Sequence, residues 1–224
     1  ATRGGGHGDY NTLVLAPATV QEMHDFAIKA FELADKYRNP VLVLADGRLG
    51  QMMEPLMLRP DVTGIPEKDW ALTGAAGGRE KRTIRSYYAG GKVEDSNKVI
   101  QSKYRQMEAE EIMYETYLTD DADILIVAYG TSARLSQGAV DVVRAEGIKA
   151  GLLRPQTLFP FPTDAIRTLA EKAKCTLTVE MSAGQMVEDV RLAVEGKVPC
   201  HLFGRMGGAI STIDEIEDAI RELA

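Results

Sequence analysis

Short runs of β-branched and leucine residues alternate along this chain with stretches whose apolar positions recur every three or four residues. Thr12–Ala16 (TLVLA) predicts a buried strand, because a short continuous apolar run leaves no face for water. Thr19-x-x-Glu22 is a capping-box signature. Val20, Met23, Ala27, Ala30, Phe31 and Ala34 then follow at helical spacing, predicting a helix with those residues inward. Asn39-Pro40 stops it, since a residue before proline is pushed out of helical geometry. Val41–Ala45 (VLVLA) is the next strand and Asp46-Gly47 a turn. The connection is long enough for a parallel crossover, so a βαβ unit is expected.

The rhythm breaks between Gln51 and Asn97, where Pro55, Pro60, Pro66, two Gly-Gly pairs and scattered charges show no sustained period. That is far longer than an ordinary loop, and predicts an interdomain connection lying over a surface. A solvated linking helix is expected from about Lys98 to Tyr117, with Ile100, Tyr104, Met107, Glu111 and Tyr114 along one face.

Regularity then returns. Ile124–Ala128 is a strand, and Gly130-Thr131-Ser132 opens a helix with Leu135, Ala139, Val142 and Val143 inward. Ala150–Leu153 is a strand, followed by a helix capped by Thr163 that buries Ile166, Leu169, Ala170 and Ala173. Thr176–Val179 is the third strand, and Ser182-x-x-Gln185 a second capping box before Met186, Val190 and Val194. Cys200–Phe203 is the fourth, and Thr212-x-x-Glu215 caps a helix carrying Ile213, Ile216, Ile220 and Leu223. Four βα units in a row predict a parallel sheet covered by helices on both faces, an α/β architecture.

Composition narrows the class without changing this picture. Of 224 residues, 45% are hydrophobic and 26% charged, which excludes a disordered tail, a fibrous protein and a disulfide miniprotein. The net charge of −7 argues against nucleic acid or an anionic membrane as partner. No apolar run reaches membrane length and no basic-then-apolar leader is present. Cys175 and Cys200 lack CxxC spacing and cannot hold an iron–sulfur cluster or zinc by themselves; both sit in apolar, strand-like runs, which predicts buried thiols in a cytoplasmic protein.

Ligands in open parallel sheets bind beyond the carboxyl ends of the strands, which directs attention to four loops. Gly130-Thr131-Ser132 could hold an anion on free backbone N–H groups, or serve only as a helix cap. Glu180 could act as a base of raised pKa, or pair with Arg205 or Arg154. His24 and His201 read as structural. His7, in a glycine loop with Asp9, is the histidine placed like a site residue, and Arg3 beside Gly4-Gly5-Gly6 could grip a carboxylate or phosphate. GxGxxG, GxxxxGK[ST], GxSxG and HExxH are all absent. Met52, Met53, Met57, Met107 and Met113 suit either interfaces or core.

Several strings carry a resemblance. GGGHGDY (4–10), Leu15-Ala16-Pro17 with Val20-Gln21-Glu22, Ala45-Asp46-Gly47 and GQMMEP (50–55) form one block. AYGTS (128–132), LRPxTLFPFP (153–162), VEMxxGQM (179–186) and GRMGG (204–208) form a second. Together they resemble the alpha subunit of 2-oxoacid:ferredoxin oxidoreductases, the branched-chain (2-oxoisovalerate) type most and the 2-oxoglutarate type next.

The resemblance implies half of a thiamine-diphosphate pyrimidine-binding domain (1–54), a connection with a linking helix (55–120) and a transketolase C-terminal-like domain (121–224). The glycine-loop opening then marks a fragment, with the glutamate that activates the cofactor lying before Ala1. The implied reaction is oxidative decarboxylation of a 2-oxoacid to its acyl-CoA, with electrons to ferredoxin. Thiamine diphosphate and magnesium would be shared with a partner chain, and an iron–sulfur cluster would lie in a partner. None of these is expected to bind this fragment alone. Beta and gamma/delta-type subunits, ferredoxin, coenzyme A and the 2-oxoacid are the implied partners. Arg3, His7 and Asp9 are expected near substrate or cofactor, and Glu180, Gln185 and Arg205 at an interdomain or subunit interface. A non-redox thiamine enzyme subunit (transketolase or E1-beta-like) and a non-catalytic assembly module are the alternatives.

Overall fold

The structure, a computed structural model, describes residues 8–58, 68, 70–72, 74, 76–78 and 92–224. Two sheets organise it. The smaller joins β1 (Leu13–Leu15), β2 (Val41–Val43) and β6 (Thr157–Phe159) in the order β2-β1-β6. β1 and β2 pair in parallel across α1 (Val20–Tyr37), the expected βαβ unit. β6, unforeseen in the sequence, pairs antiparallel with β1 and brings the second half of the chain into the first sheet.

The larger sheet has the order β3-β5-β4-β7-β8, with β3 (Tyr114–Tyr117) at one edge. Its strands β4 (Ile124–Ala128), β5 (Ala150–Pro155), β7 (Cys175–Glu180) and β8 (Cys200–Gly204) are parallel, as four βα units demand. α3 (Gly130–Ala145) and α6 (Ile213–Arg221) cover one face, burying Ile124, Ile126, Leu152 and Leu177. α4 (Thr163–Ala170) and α5 (Met186–Val194) cover the other against Leu125, Val127 and Leu153. Successive residues of β4 thus serve opposite faces, which is why ILIVA reads as an unbroken apolar run. At Gly151, a Cβ would stand 2.4 Å from the Leu118 carbonyl oxygen, so the close approach of that loop requires glycine.

Several expectations are corrected. α1 turns a different face inward. Phe26, Leu33 and Tyr37 are buried, with Ala30 packed beside them, whereas Phe31 is 78% exposed and Ala27 also faces outward. Both stripes have helical spacing, and the aromatic and leucine side chains win because they remove more apolar area from water.

The linking helix, α2, spans Lys92–Glu110 and ends before Tyr114. Tyr114–Tyr117 instead forms β3, antiparallel to β5. The amino-terminal half of α2 is solvated, but Tyr104 and Met107 enter a core with Leu13, Leu15 and the inner face of α1. In α3, Val140 is buried and Val142 exposed. Pro162, not Thr163, is the cap residue of α4, where Thr163 makes no cap bond. Cys175 is buried but Cys200 only partly so. Of the methionines, Met107 is core, while Met53 and Met57 are exposed.

Candidate functional site

Three carboxylates of the first half reach across to the second, and each rises from a local feature of the chain. Thr19 caps α1 by accepting from the Glu22 N–H. Glu22 does not complete the box by returning to Thr19. One of its carboxylate oxygens accepts the Ala18 N–H at 2.7 Å, and the pair receives the fork of Arg154 at 2.6 and 2.9 Å. Gln156 adds a bond at 3.1 Å, and Arg154 also holds Glu115 of β3. Burial pushes the Glu22 carboxyl upward, but the Arg154 fork and the Ala18 N–H outweigh it and hold its pKa below the ordinary value.

Asp46 ends the strand run of β2 and enters the amino terminus of α3. It accepts the Thr131 N–H and hydroxyl, both at 2.9 Å, and the Leu49 N–H at 2.8 Å. Gly130 has φ +58°, and a Cβ there would meet Asp46 at 2.8 Å. AYGTS is thus an anion seat, and its anion is a carboxylate of the same chain. Glu54, in the extended stretch after the 3₁₀ turn Leu49–Gln51, accepts the Val20 N–H at 2.8 Å and Arg134 at 2.6 Å. Those two bonds hold its pKa below the ordinary value.

Glu180 corrects another expectation. It pairs with neither Arg205 nor Arg154. Its buried carboxylate accepts the N–H groups of Gln185, Met186 and Val187 and the Ser182 hydroxyl, capping α5 in place of the expected Ser182 box. Arg205 is ion-paired with Glu215, and only its backbone N–H meets the Glu180 carbonyl. The Gln185 side chain is exposed. Asp9 is exposed and its carbonyl accepts from Gln101 at 2.8 Å, whereas Arg3 and His7 lie outside the described residues.

These placements bear on an anionic cofactor. The amino termini of α3 and α5 each already hold a carboxylate of the chain itself, whose negative charge opposes a diphosphate there. An open cleft of about 310 Å³ is lined by Glu22, Asp25, Phe26, Lys29, Glu32 and Gln156, an acidic wall that repels one. Among the described residues no cluster of three or more His, Cys, Asp or Glu could hold a metal ion, and no helix is long and apolar enough to cross a membrane. The described residues therefore do not fit the diphosphate or its metal.

The fold and junction define an α/β chain in which a βαβ unit is bolted to a parallel-sheet domain. Residues 1–117 match the family model "Pyruvate flavodoxin/ferredoxin oxidoreductase, thiamine diP-bdg", and residues 122–216 match "Pyruvate:ferredoxin oxidoreductase core domain II". The chain belongs to the pyruvate flavodoxin/ferredoxin oxidoreductase family. The ketoisovalerate oxidoreductase subunit VorB of Methanothermobacter thermautotrophicus is 48% identical, over 99% of this chain and 63% of that protein. The 2-oxoglutarate synthase subunit KorA of Methanothermobacter marburgensis is 33% identical over 97% of this chain and 65% of its own length. The chain thus spans under two thirds of either relative. A solved 2-oxoglutarate:ferredoxin oxidoreductase from Magnetococcus marinus shares the fold, with TM-score 0.78, 22% identity, and coverage of 97% of this chain and 43% of that one.

Sequence reasoning missed the junction. It weighed Glu22 only as a cap, Arg154 only as a partner for Glu180, and Arg134 not at all. The signal was present: Glu22, Asp46 and Glu54 lie in strings of the first block, and Thr131 and Arg154 in strings of the second.

Proposed function

We propose that this chain is part of the alpha-type subunit of a 2-oxoacid:ferredoxin oxidoreductase whose substrate is a branched-chain 2-oxoacid of the 2-oxoisovalerate kind, with 2-oxoglutarate next. The complete enzyme converts the 2-oxoacid to its acyl-CoA and passes electrons to ferredoxin. In this reading thiamine diphosphate and magnesium are shared with a beta-type partner, an iron–sulfur cluster lies in a partner chain, and gamma/delta-type subunits complete the cytoplasmic assembly. The carrying observation is the 48% identity to a ketoisovalerate oxidoreductase subunit along 99% of the chain.

Within that enzyme, the described part of the chain holds two domains in a fixed relation. Arg154, Thr131 and Arg134 fix the βαβ unit against the larger sheet. The loop ending at Asp9, with Arg3 and His7, is the proposed wall of the reaction site. Gln185 and Arg205, near the Glu180 cap, are proposed for a subunit interface.

Anaerobic turnover by the complete complex tests this, with coenzyme A, a viologen acceptor and 2-oxoisovalerate, 2-oxoglutarate or pyruvate in turn. The expected result is coenzyme-A-dependent dye reduction with the largest kcat/KM for 2-oxoisovalerate. An iron-free complex that reduces no acceptor with any 2-oxoacid would overturn the reading in favour of a non-redox thiamine enzyme.

A further inference from the structure

The carboxyl end of α1 gathers positive charge in a chain whose net charge is −7. Arg38 caps that end in the left-handed region, φ 47°, with its guanidinium 5.1 Å from the centre of the Trp70 ring. Lys103, in the middle of α2, reaches the same place and puts its ammonium 3.0 Å from Asn39 Oδ1. Among the described residues neither Arg38 nor Lys103 has a carboxylate partner, unlike neighbouring Lys36, held by Glu110 and Glu111, and Lys68, held by Asp35. Burial, and then the charge of Arg38, hold the Lys103 ammonium below its ordinary pKa.

The helix end accounts for only part of this. Its macrodipole presents about half a negative charge, while Arg38 and Lys103 bring two unit positive charges that are met by the Trp70 ring, by the Tyr104 ring at 5.3 Å and by one amide oxygen, none of them an anion. Asn39 is not a further donor, because its amide hydrogens are spent on the carbonyls of Asn11 and Pro40. It positions Lys103 instead. The Trp70 ring lies against the Arg38 guanidinium and lends it a wall.

We infer that Arg38 and Lys103 form a binding site for a phosphate group, either free or as the monoester of a larger ligand. The guanidinium offers a fork of N–H donors and the ammonium its remaining hydrogens, a set that suits tetrahedral oxygens. A dianion balances two charges where a carboxylate balances one. The Asn39 and Gln101 side chains bond to the Asn11 and Asp9 carbonyls, so the site adjoins the end of the GGGHGDY string. The inference does not depend on the oxidoreductase reading.

Trp70 is the one tryptophan in the sequence, so its emission in the full chain reports on the site directly. Titration with inorganic phosphate at constant ionic strength is expected to give a saturable change that chloride and acetate do not. Arg38→Asn, which tolerates the left-handed backbone, and Lys103→Gln should each weaken phosphate about tenfold or more with far-UV circular dichroism unchanged. Arg38→Lys should recover part of that loss. Calorimetry with glycerol 3-phosphate separates the sources: tighter binding than phosphate indicates a monoester, equal binding the free anion. Identical responses to phosphate and chloride, or Lys103→Gln binding phosphate like the parent, would overturn the proposal. The Lys103 variant decides alone if Arg38→Asn does not fold.

Discussion

The two sheets are held by different physics. The larger one is self-sufficient: β4, β5 and β7 are buried along their whole lengths, with apolar helices on both faces. The smaller one is not. Its three strands have three residues each, β2 is only half-buried, and β6 arrives from the other half of the chain. Polar locks supply what apolar area does not, and all three run from carboxylates of the first half to donors of the second. Only Gln156 separates β5 from β6, so the chain itself passes from one sheet to the other at the point where Arg154 grips Glu22. The junction is a stitched seam rather than a hinge.

If this contrast holds, the largest effect falls in the larger sheet. Ile126, fully buried, should cost about 2–5 kcal/mol when replaced by alanine, through lost transfer energy and the cavity left behind. Urea denaturation followed by circular dichroism should show a lowered midpoint with a single transition. A separate early transition confined to the first half would break the claim that the seam couples the sheets.

Arg154→Met comes next, at about 2–4 kcal/mol, because it strands the half-buried Glu22 carboxylate without its partner. Adding Glu22→Gln should recover part of the loss, and the double-mutant cycle measures the coupling. Acid sharpens the test. The folded Glu22 pKa lies below its unfolded value, so its stabilisation is complete above about pH 4.3 and is lost as pH falls through the folded value. In Arg154→Met the Ala18 N–H and Gln156 still bond the carboxylate, but the guanidinium no longer helps them against burial, so the lowering shrinks and the melting temperature should fall less steeply between about pH 5 and 3 than in the parent.

Asp46→Asn is milder, at about 1 kcal/mol, since the amide oxygen can still accept one N–H while the charge facing the α3 dipole is gone. Hydrogen exchange at the Thr131 and Leu49 amides should speed up, with β7 unaffected.

The difference between the sheets also explains what the sequence disclosed. The four βα units of the larger sheet were legible because each strand is a short run rich in apolar and β-branched residues and each helix carries apolar residues at helical spacing. The smaller sheet was half legible. β6 hides in TLFPFP, where prolines mask a three-residue strand, and β3 in YETY, an exposed edge with no apolar alternation. The candidate site was legible as motif strings but not as geometry. Capping reads as local, and nothing in spacing says that Glu22 answers to Arg154 or that Glu180, not Ser182, caps α5.

Helix α1 shows the limit most sharply, because two stripes of equal period compete on it. Spacing alone selects Val20, Met23, Ala27, Ala30, Phe31 and Ala34, and three alanines make that stripe look like a closely packed face. The structure selects Phe26, Leu33 and Tyr37, which meet Leu13, Leu15, Tyr104 and Met107. Phe31 is left outside, and Phe31→Ser should change the stability of this chain by no more than about 0.5 kcal/mol, as for an exposed site without partners. Chemical denaturation of the parent and variant measures it. A loss of about 3 kcal/mol, the scale for emptying a buried aromatic, would mean that the stripe read from the sequence is the packed one and that the first-half core must be redrawn.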